Sequence, residues 1–116
     1  MEESILTSIK KLIGLTEEDI SFDLDVTIAI NTAIETLKQI GVQGTDSFSV
    51  TSSDERWEDY LPNQNEVLSM IKNFIAIKVK ILVDPPQSSI LKETLDAQIH
   101  ELTVRINVAL DNSERE

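Results

Sequence analysis

Two adjacent prolines, Pro85 and Pro86, constrain this fold more than any other feature, because no helix runs through them intact. Each lacks a backbone N–H and has a fixed φ, and Pro85 also moves Asp84 out of the helical region. Ser88 or Ser89 then offers a side-chain oxygen to the first free N–H groups of a new helix. The sequence therefore predicts a rigid elbow between two helices, formed by Asp84, Pro85, Pro86, Ser88 and Ser89.

The helix before the elbow is predicted to begin at Asn63 or Asn65 and to end at Asp84. Its apolar residues wrap most of the circumference, which is typical of a helix buried among neighbours in its own chain or in an adjacent subunit. The helix after the elbow is predicted from about Ser89 to Leu110, and residues 111–116 are predicted to fray as a charged tail. This last helix carries a narrow apolar stripe of Leu91, Leu95, Ile99, Leu102, Ile106 and Ala109.

Two further helices are predicted in the N-terminal third. A short one has apolar residues at helical spacing from Ile5 to Ile13 and ends at Gly14, and a longer one runs from about Asp23 to Ile40 and ends at Gly41. Thr16 or Asp23 is the predicted N-cap in the acidic stretch that joins them.

The helical period is lost between Val42 and Asn65. The alternating stretch "DSFSVTSS" favours a short strand or hairpin arm, and "DERWEDYLP" favours one helical turn before Pro62. Residues 1–116 are therefore predicted to form one mainly α domain, a small bundle of about four helices with a short irregular or β-like segment in the middle.

Composition excludes several classes of function. Apolar residues make up 41% of the 116 residues and aromatics only 4%, which favours an aliphatic helix bundle over a β-sandwich. With no cysteine and one histidine, the chain offers no zinc ligand set, and we expect His100 to face solvent. The run "DLDVTI" has Ile28 where a calcium loop needs glycine. We therefore expect no catalytic site, no metal and no cofactor.

The charge and the hydropathy give two more expectations. The net charge of −11 repels phosphate, and the third predicted helix supplies only Lys72, Lys78 and Lys80 as a basic set, so we expect no specific DNA binding. The N-terminus has no apolar signal segment, and "FIAIKVKILV" is too short to span a bilayer. We expect a soluble protein made in a cytoplasm, without membrane association.

Trp57 and Tyr60 are the only tryptophan and tyrosine, and they lie in the segment with weak helical pattern. One interpretation is that their rings hold this loop against the bundle. The other is that they anchor a partner, because aromatic residues are enriched at interface hot spots. The sequence leaves both interpretations open.

Three stretches together resemble the small head–tail connector, or adaptor, proteins of tailed bacteriophages and prophages. They are "FDLDVTIAINTAIETLKQIGV", "MIKNFIAIKVKILVDPPQSS" and "ILKETLDAQIHELTVRIN". The resemblance implies a non-enzymatic, mainly helical protein of the virion neck, assembled in the host bacterial cytoplasm. It implies a ring beneath the portal at the capsid exit vertex, with a copy number that matches the twelvefold portal. The ring extends the DNA channel without gripping DNA and meets the next neck or tail-completion protein.

Under this resemblance we expect the last helix and its tail to contact the portal protein, and the loop with Trp57 and Tyr60 to face the next neck protein. The third helix is expected to supply contacts between subunits. The full set of expected contact residues is Trp57, Tyr60, Lys72, Phe74, Lys78, Lys80, Leu102 and Ile106.

The alternative hypothesis is a small acidic helical protein that binds and inhibits a partner, of the antitoxin or DNA-mimic type. Its negative charge would then be the binding surface. Genomic position discriminates the two: a gene between capsid and tail genes supports the connector, and pairing with a toxin gene supports the inhibitor.

Overall fold

A computed structural model describes residues 4–46, 48–62 and 65–114. Within these residues the chain forms five helices and no sheet, which confirms the mainly helical prediction. The sequence predicted four helices and one helical turn before Pro62, and that turn is the third of the five helices. The helices are α1 (Ile5–Leu12), α2 (Asp23–Gln39), α3 (Trp57–Tyr60), α4 (Asn65–Val83) and α5 (Ser89–Glu114).

The break between α4 and α5 lies where the prolines put it. The Asp84 N–H donates to the Lys80 carbonyl at 2.8 Å and closes the last turn of α4. The Ser88 hydroxyl accepts from the Leu91 N–H at 3.1 Å, so Ser88 rather than Ser89 is the N-cap of α5. At its other end α5 continues to Glu114, four residues beyond the predicted end at Leu110, and residues 115 and 116 lie outside the described part of the chain.

The first two helices begin and end close to the predicted positions, but the residue that caps the start of α2 differs from the prediction. Gly14 and Gly41 have φ values of 91° and 109°, the left-handed conformation that glycine adopts without a steric cost. The predicted N-cap, Thr16 or Asp23, is wrong. The N-cap of α2 is Phe22, whose side chain makes no capping hydrogen bond. Asp23 is instead the first helical residue, and its carboxylate points to Lys10 of α1.

The predicted strand in the middle segment does not form among the described residues, and Ser47 lies outside them. The backbone of Val50 is paired with a side chain: Asn31 Nδ2 donates to its carbonyl at 2.8 Å, and its N–H donates to Asn31 Oδ1 at 2.7 Å. The side-chain amide of Asn31 in α2 thus makes the two hydrogen bonds that a neighbouring β-strand would make with Val50. Val50 is buried and Phe48 half-buried, which accounts for the alternating pattern without a sheet.

α4 is the centre of the fold. It packs extensively against α2 and α5, and α1 lies against α2 and α4, whereas α2 and α5 make no extensive contact with each other. The apolar residues of α4 are therefore buried or half-buried within its own chain, except Leu82, which is exposed. The molecule measures 44 × 35 × 23 Å, and within this flattened shape α4 is the helix against which both α2 and α5 pack.

The helix directions place the start of α2 and the elbow at the same end of the molecule. α5 returns antiparallel along α4 after the elbow, and Ile40 and Gly41, at the end of α2, lie beside Asn107 and Leu110 near the end of α5. α2 is therefore antiparallel to α4, and the end of the bundle opposite Gly41 carries both Asp23 and the elbow.

Candidate interaction surfaces

Two of the residues expected to contact a partner belong to the core of their own subunit. Phe74 is 1% exposed and Ile106 is fully buried. The structure contradicts both expectations, because these side chains are buried in the core and present no surface to a neighbour. For Phe74 the reason is that α4 is apolar on most faces, so its sequence does not reveal which apolar residue points outward; Ile106 lies on the narrow stripe of α5, which packs against the core of its own chain.

Trp57 holds the middle segment against the bundle. Its ring is 3% exposed, and Nε1 donates a hydrogen bond of 2.8 Å to the Ser8 hydroxyl in α1. Lys72 Nζ lies 5.2 Å from the ring centroid, within the range of a cation–π interaction. α3 is therefore tied to both α1 and α4, and Lys72 is used inside the subunit.

Tyr60 is buried in the same way. Its ring stacks on Phe48 with centroids 5.2 Å apart, and Gly44 packs so closely that a Cβ there would overlap the Tyr60 ring. Burial raises the pKa of the Tyr60 phenol to about 12, and the hydroxyl has no hydrogen-bond partner in the described residues. Both aromatic rings thus support the first interpretation, that they hold the loop in place.

Besides Lys72, three expected contact residues keep accessible surface. Lys78 and Leu102 are half-buried on α4 and α5. Lys80 Nζ lies 3.9 Å from the Asp84 carboxylate, and both side chains are well exposed, so this pair contributes little stability and leaves the ammonium group available.

A buried lysine that the sequence analysis did not single out joins three segments. Lys10 is 3% exposed; its Nζ lies 2.7 Å from Asp23 Oδ1 and donates to the Glu17 carbonyl at 3.1 Å. The contact with Asp23 lacks hydrogen-bond geometry, so the attraction there is mainly coulombic. One signal was available in the sequence, because Lys10 follows Leu6 by four residues and therefore lies on the apolar face of α1.

The surface carries two groups of large exposed apolar side chains. The first, here called the α2 flank, consists of Ile20, Phe22, Leu24 and Ile28, of which Ile20 and Leu24 are 74% and 73% exposed. Leu24 and Ile28 are one turn apart and lie opposite the buried stripe of α2. The second, here called the elbow surface, consists of Leu82, Ile90 and Leu91, with Ile90 76% exposed.

The α2 flank is also the most acidic part of the chain. Residues 16–25 carry five acids and no base, and within them the Asp19 carboxylate accepts from the Ser21 N–H at 3.0 Å. That hydrogen bond lowers the pKa of Asp19. The elbow differs, since residues 78–92 carry three lysines and one aspartate. Apolar groups of this size on a monomer commonly mark protein contact sites.

The described residues contain no candidate metal site. No group of three or more histidine, aspartate or glutamate side chains there could hold a metal ion, and His100 is exposed. None of the described helices is long and apolar enough to cross a membrane. Among the described residues, the large apolar side chains that remain exposed are those of the two surfaces, together with Leu12, Val104 and Val108.

Comparison with known families found a match. A family model described as "Phage connector protein" matches residues 5–113, a range that contains α1 to α4, the elbow and all but the last residue of α5. Comparison with curated proteins and with solved structures found no match.

Proposed function

Because the chain belongs to the phage connector protein family, we propose that it forms a ring below the portal at the capsid exit vertex and joins the phage head to its tail. The observation that carries this proposal is the extent of the match, which spans nearly the whole helical bundle rather than one motif. The family is one of structural proteins, in keeping with a neck component without catalytic activity.

A ring subunit needs two different surfaces, one for each neighbour, in addition to its axial contacts. The α2 flank and the elbow surface are two separate groups of exposed apolar side chains and are candidates for this role. The proposed axial partners are the portal protein on one side and the next neck or tail-completion protein on the other.

The C-terminal half of α5 remains the proposed portal contact, but through exposed residues and not through its predicted apolar stripe. Its predicted apolar stripe is used internally, since Ile106 is buried. Val104 and Val108, about half exposed on the other side of the helix, are the apolar residues that it can offer to a partner. The acidic-inhibitor hypothesis gains no comparable support, and a gene position between capsid and tail genes would argue further against it.

The proposed DNA channel predicts that the subunit does not bind duplex DNA. Lys72 lies over Trp57, Lys80 lies near Asp84, and the net charge is −11, so the chain lacks the six to ten phosphate contacts that give strong salt-dependent affinity. We expect no shift in a gel titration at physiological salt and little at low salt. Salt-sensitive binding at micromolar protein would contradict a passive channel wall and would indicate a nucleic-acid-binding protein.

The elbow gives a prediction about assembly. Replacing Pro85 and Pro86 with alanine frees φ at both positions, so the angle between α4 and α5 is no longer fixed. We expect a soluble, helical protein by circular dichroism, with a stability loss of about 1–2 kcal/mol from greater freedom of the unfolded chain. Association with the portal and with other copies should be strongly reduced, because ring closure depends on subunit shape.

The matched control is Gln87→Ala, an exposed change in the same segment that leaves φ of both prolines fixed. It should assemble like the original chain. Normal assembly of the double proline variant would mean that the elbow merely ends α4.

The direct test of the proposed function is co-expression with the portal protein encoded nearby. We expect the chain to co-purify with assembled portal through size-exclusion chromatography, in several copies per complex. Failure to co-purify under conditions in which the portal is assembled would argue against a connector role.

A further inference from the structure

We propose that residues 48–61, here called the strap, detach from the bundle as one unit while the other four helices stay packed. The buried hydroxyl of Tyr60 favours this open form. The strap contains α3 and closes over the core, where Trp57 and Tyr60 are 3% and 2% exposed, so opening makes both aromatic side chains available to a partner. The inference concerns the single subunit and does not depend on the proposed connector function.

The strap has internal hydrogen bonds that a local opening leaves intact. The Glu55 carboxylate accepts from the Thr51 hydroxyl at 2.7 Å and from the Ser52 N–H at 3.0 Å. At the start of α3, the Arg56 N–H donates to the Asp59 carboxylate at 2.9 Å. Because both partners of each bond lie within the strap, these bonds do not have to break when the segment separates from the helices.

Among the described residues, the hydrogen bonds that tie the strap to the helices are scattered and do not form a ladder. Asn31 of α2 pairs through its side chain with the N–H and the carbonyl of Val50. In α1, the Ile5 N–H donates to the Glu55 carbonyl at 2.9 Å. In this part of the chain α3 also packs extensively against none of the other helices. A segment held in this way opens at a lower free energy than the packed helices that carry the core.

The Tyr60 side chain acts on the strap in two opposite ways. Its ring stacks on Phe48 with centroids 5.2 Å apart, and this contact favours the closed form. Its hydroxyl is buried and has no hydrogen-bond partner among the described residues. A buried hydroxyl in this state is unfavourable, because it has lost its hydrogen bonds to water. Opening the strap returns the hydroxyl to water and removes that cost.

Apolar burial and Trp57 keep the strap closed most of the time. Val50 and Leu61 are 1% and 2% exposed, and Trp57 Nε1 donates to the Ser8 hydroxyl at 2.8 Å. Lys72 Nζ also lies 5.2 Å from the centroid of the Trp57 ring. The open form is therefore a minor state of the subunit, in equilibrium with the closed one.

Thiol labelling tests the opening directly, because the chain contains no cysteine. Val50→Cys places a thiol in the strap at a position that is 1% exposed, and the matched control Val79→Cys places one in α4 at a position that is fully buried. With an aromatic disulfide reagent and no urea, we expect Val50→Cys to react at least about tenfold faster than Val79→Cys. Urea below the unfolding transition should accelerate Val79→Cys steeply and Val50→Cys only weakly, because global unfolding exposes far more surface than a local opening.

Equal labelling rates with the same steep dependence on urea would overturn the proposal, because the thiol at position 50 would then be reached only by global unfolding. If Val50→Cys does not fold, hydrogen exchange of the unchanged chain makes the same comparison. The Val50 N–H, which is bonded to Asn31 Oδ1, should exchange faster and with a weaker dependence on urea than the N–H groups in the middle of α4. Identical exchange behaviour would overturn the proposal as well.

The role of the hydroxyl is tested by adding Tyr60→Phe to Val50→Cys. Phenylalanine keeps the stacked ring and removes the group that gains water on opening, so labelling of the native protein should slow by about tenfold. In high urea, where the chain is unfolded, both proteins should react at the same rate. Unchanged or faster labelling of the native protein would overturn the role of the hydroxyl in opening the strap.

Discussion

Replacing Phe74 with alanine is expected to lower the free energy of unfolding by about 3–5 kcal/mol, the typical cost of removing a buried aromatic side chain. Phe74 is 1% exposed and lies on α4, which packs against three other helices. The neighbours cannot all move to fill the space, so a cavity remains. Urea denaturation followed by circular dichroism measures this loss.

The control for Phe74 is Leu82→Ala, on the same helix at a position that is 53% exposed. It should change the stability by less than about 1 kcal/mol when both variants are monomeric. A small loss for Phe74→Ala, similar to that of Leu82→Ala, would contradict the placement of Phe74 in the core and would return it to the set of partner contacts.

Replacing Asp23 with alanine is expected to cost about 2–3 kcal/mol, because it leaves the buried ammonium group of Lys10 without its carboxylate. The cost should fall below the roughly 3–5 kcal/mol of a fully buried pair, since the Asp23 side chain is 31% exposed and water can partly replace it. The thermal midpoint and the urea midpoint should both decrease.

Asp25→Ala is the matched control for Asp23. Asp25 is exposed in the same first turn of α2 and interacts with the helix dipole in the same way, so it isolates the effect of the ion pair. Combining Asp23→Ala with Lys10→Met should restore most of the stability, because no buried charge then lacks a partner. Equal losses for Asp23→Ala and Asp25→Ala would contradict a structural role for the pair.

The helices and the elbow could be predicted because their causes are local. Proline geometry at Pro85 and Pro86 ends α4 regardless of tertiary contacts, and Gly14 and Gly41 end their helices through their own backbone conformations. The apolar period along α2 likewise reports burial directly. These features depend on residues within one or two turns of each other.

The strand prediction was wrong because its alternation had a non-local cause. Phe48 and Val50 alternate with polar residues since they face the core, and the hydrogen bonds that a strand would need come from the side chain of Asn31, nineteen residues away. Nothing in the residues around Val50 indicates that partner. Lys10 is similar, since its burial depends on Asp23 across a loop.

The exposed apolar surfaces were missed for a different reason. Leu24 and Ile28 lie off the apolar stripe of α2, and periodicity analysis assigns the stripe and ignores what lies opposite it. Phe74 and Ile106 were instead expected at a contact, although their helices bury them. Which apolar residues remain exposed depends on how α2, α4 and α5 pack together, and that arrangement is a tertiary property.

The most direct test of the connector role is electron microscopy of the complex co-purified with the portal. The proposed function predicts an added ring of density on one axial face of the portal, coaxial with its channel and absent from portal expressed alone. A particle with a single bound copy of the chain, or a portal without additional axial density, would contradict it.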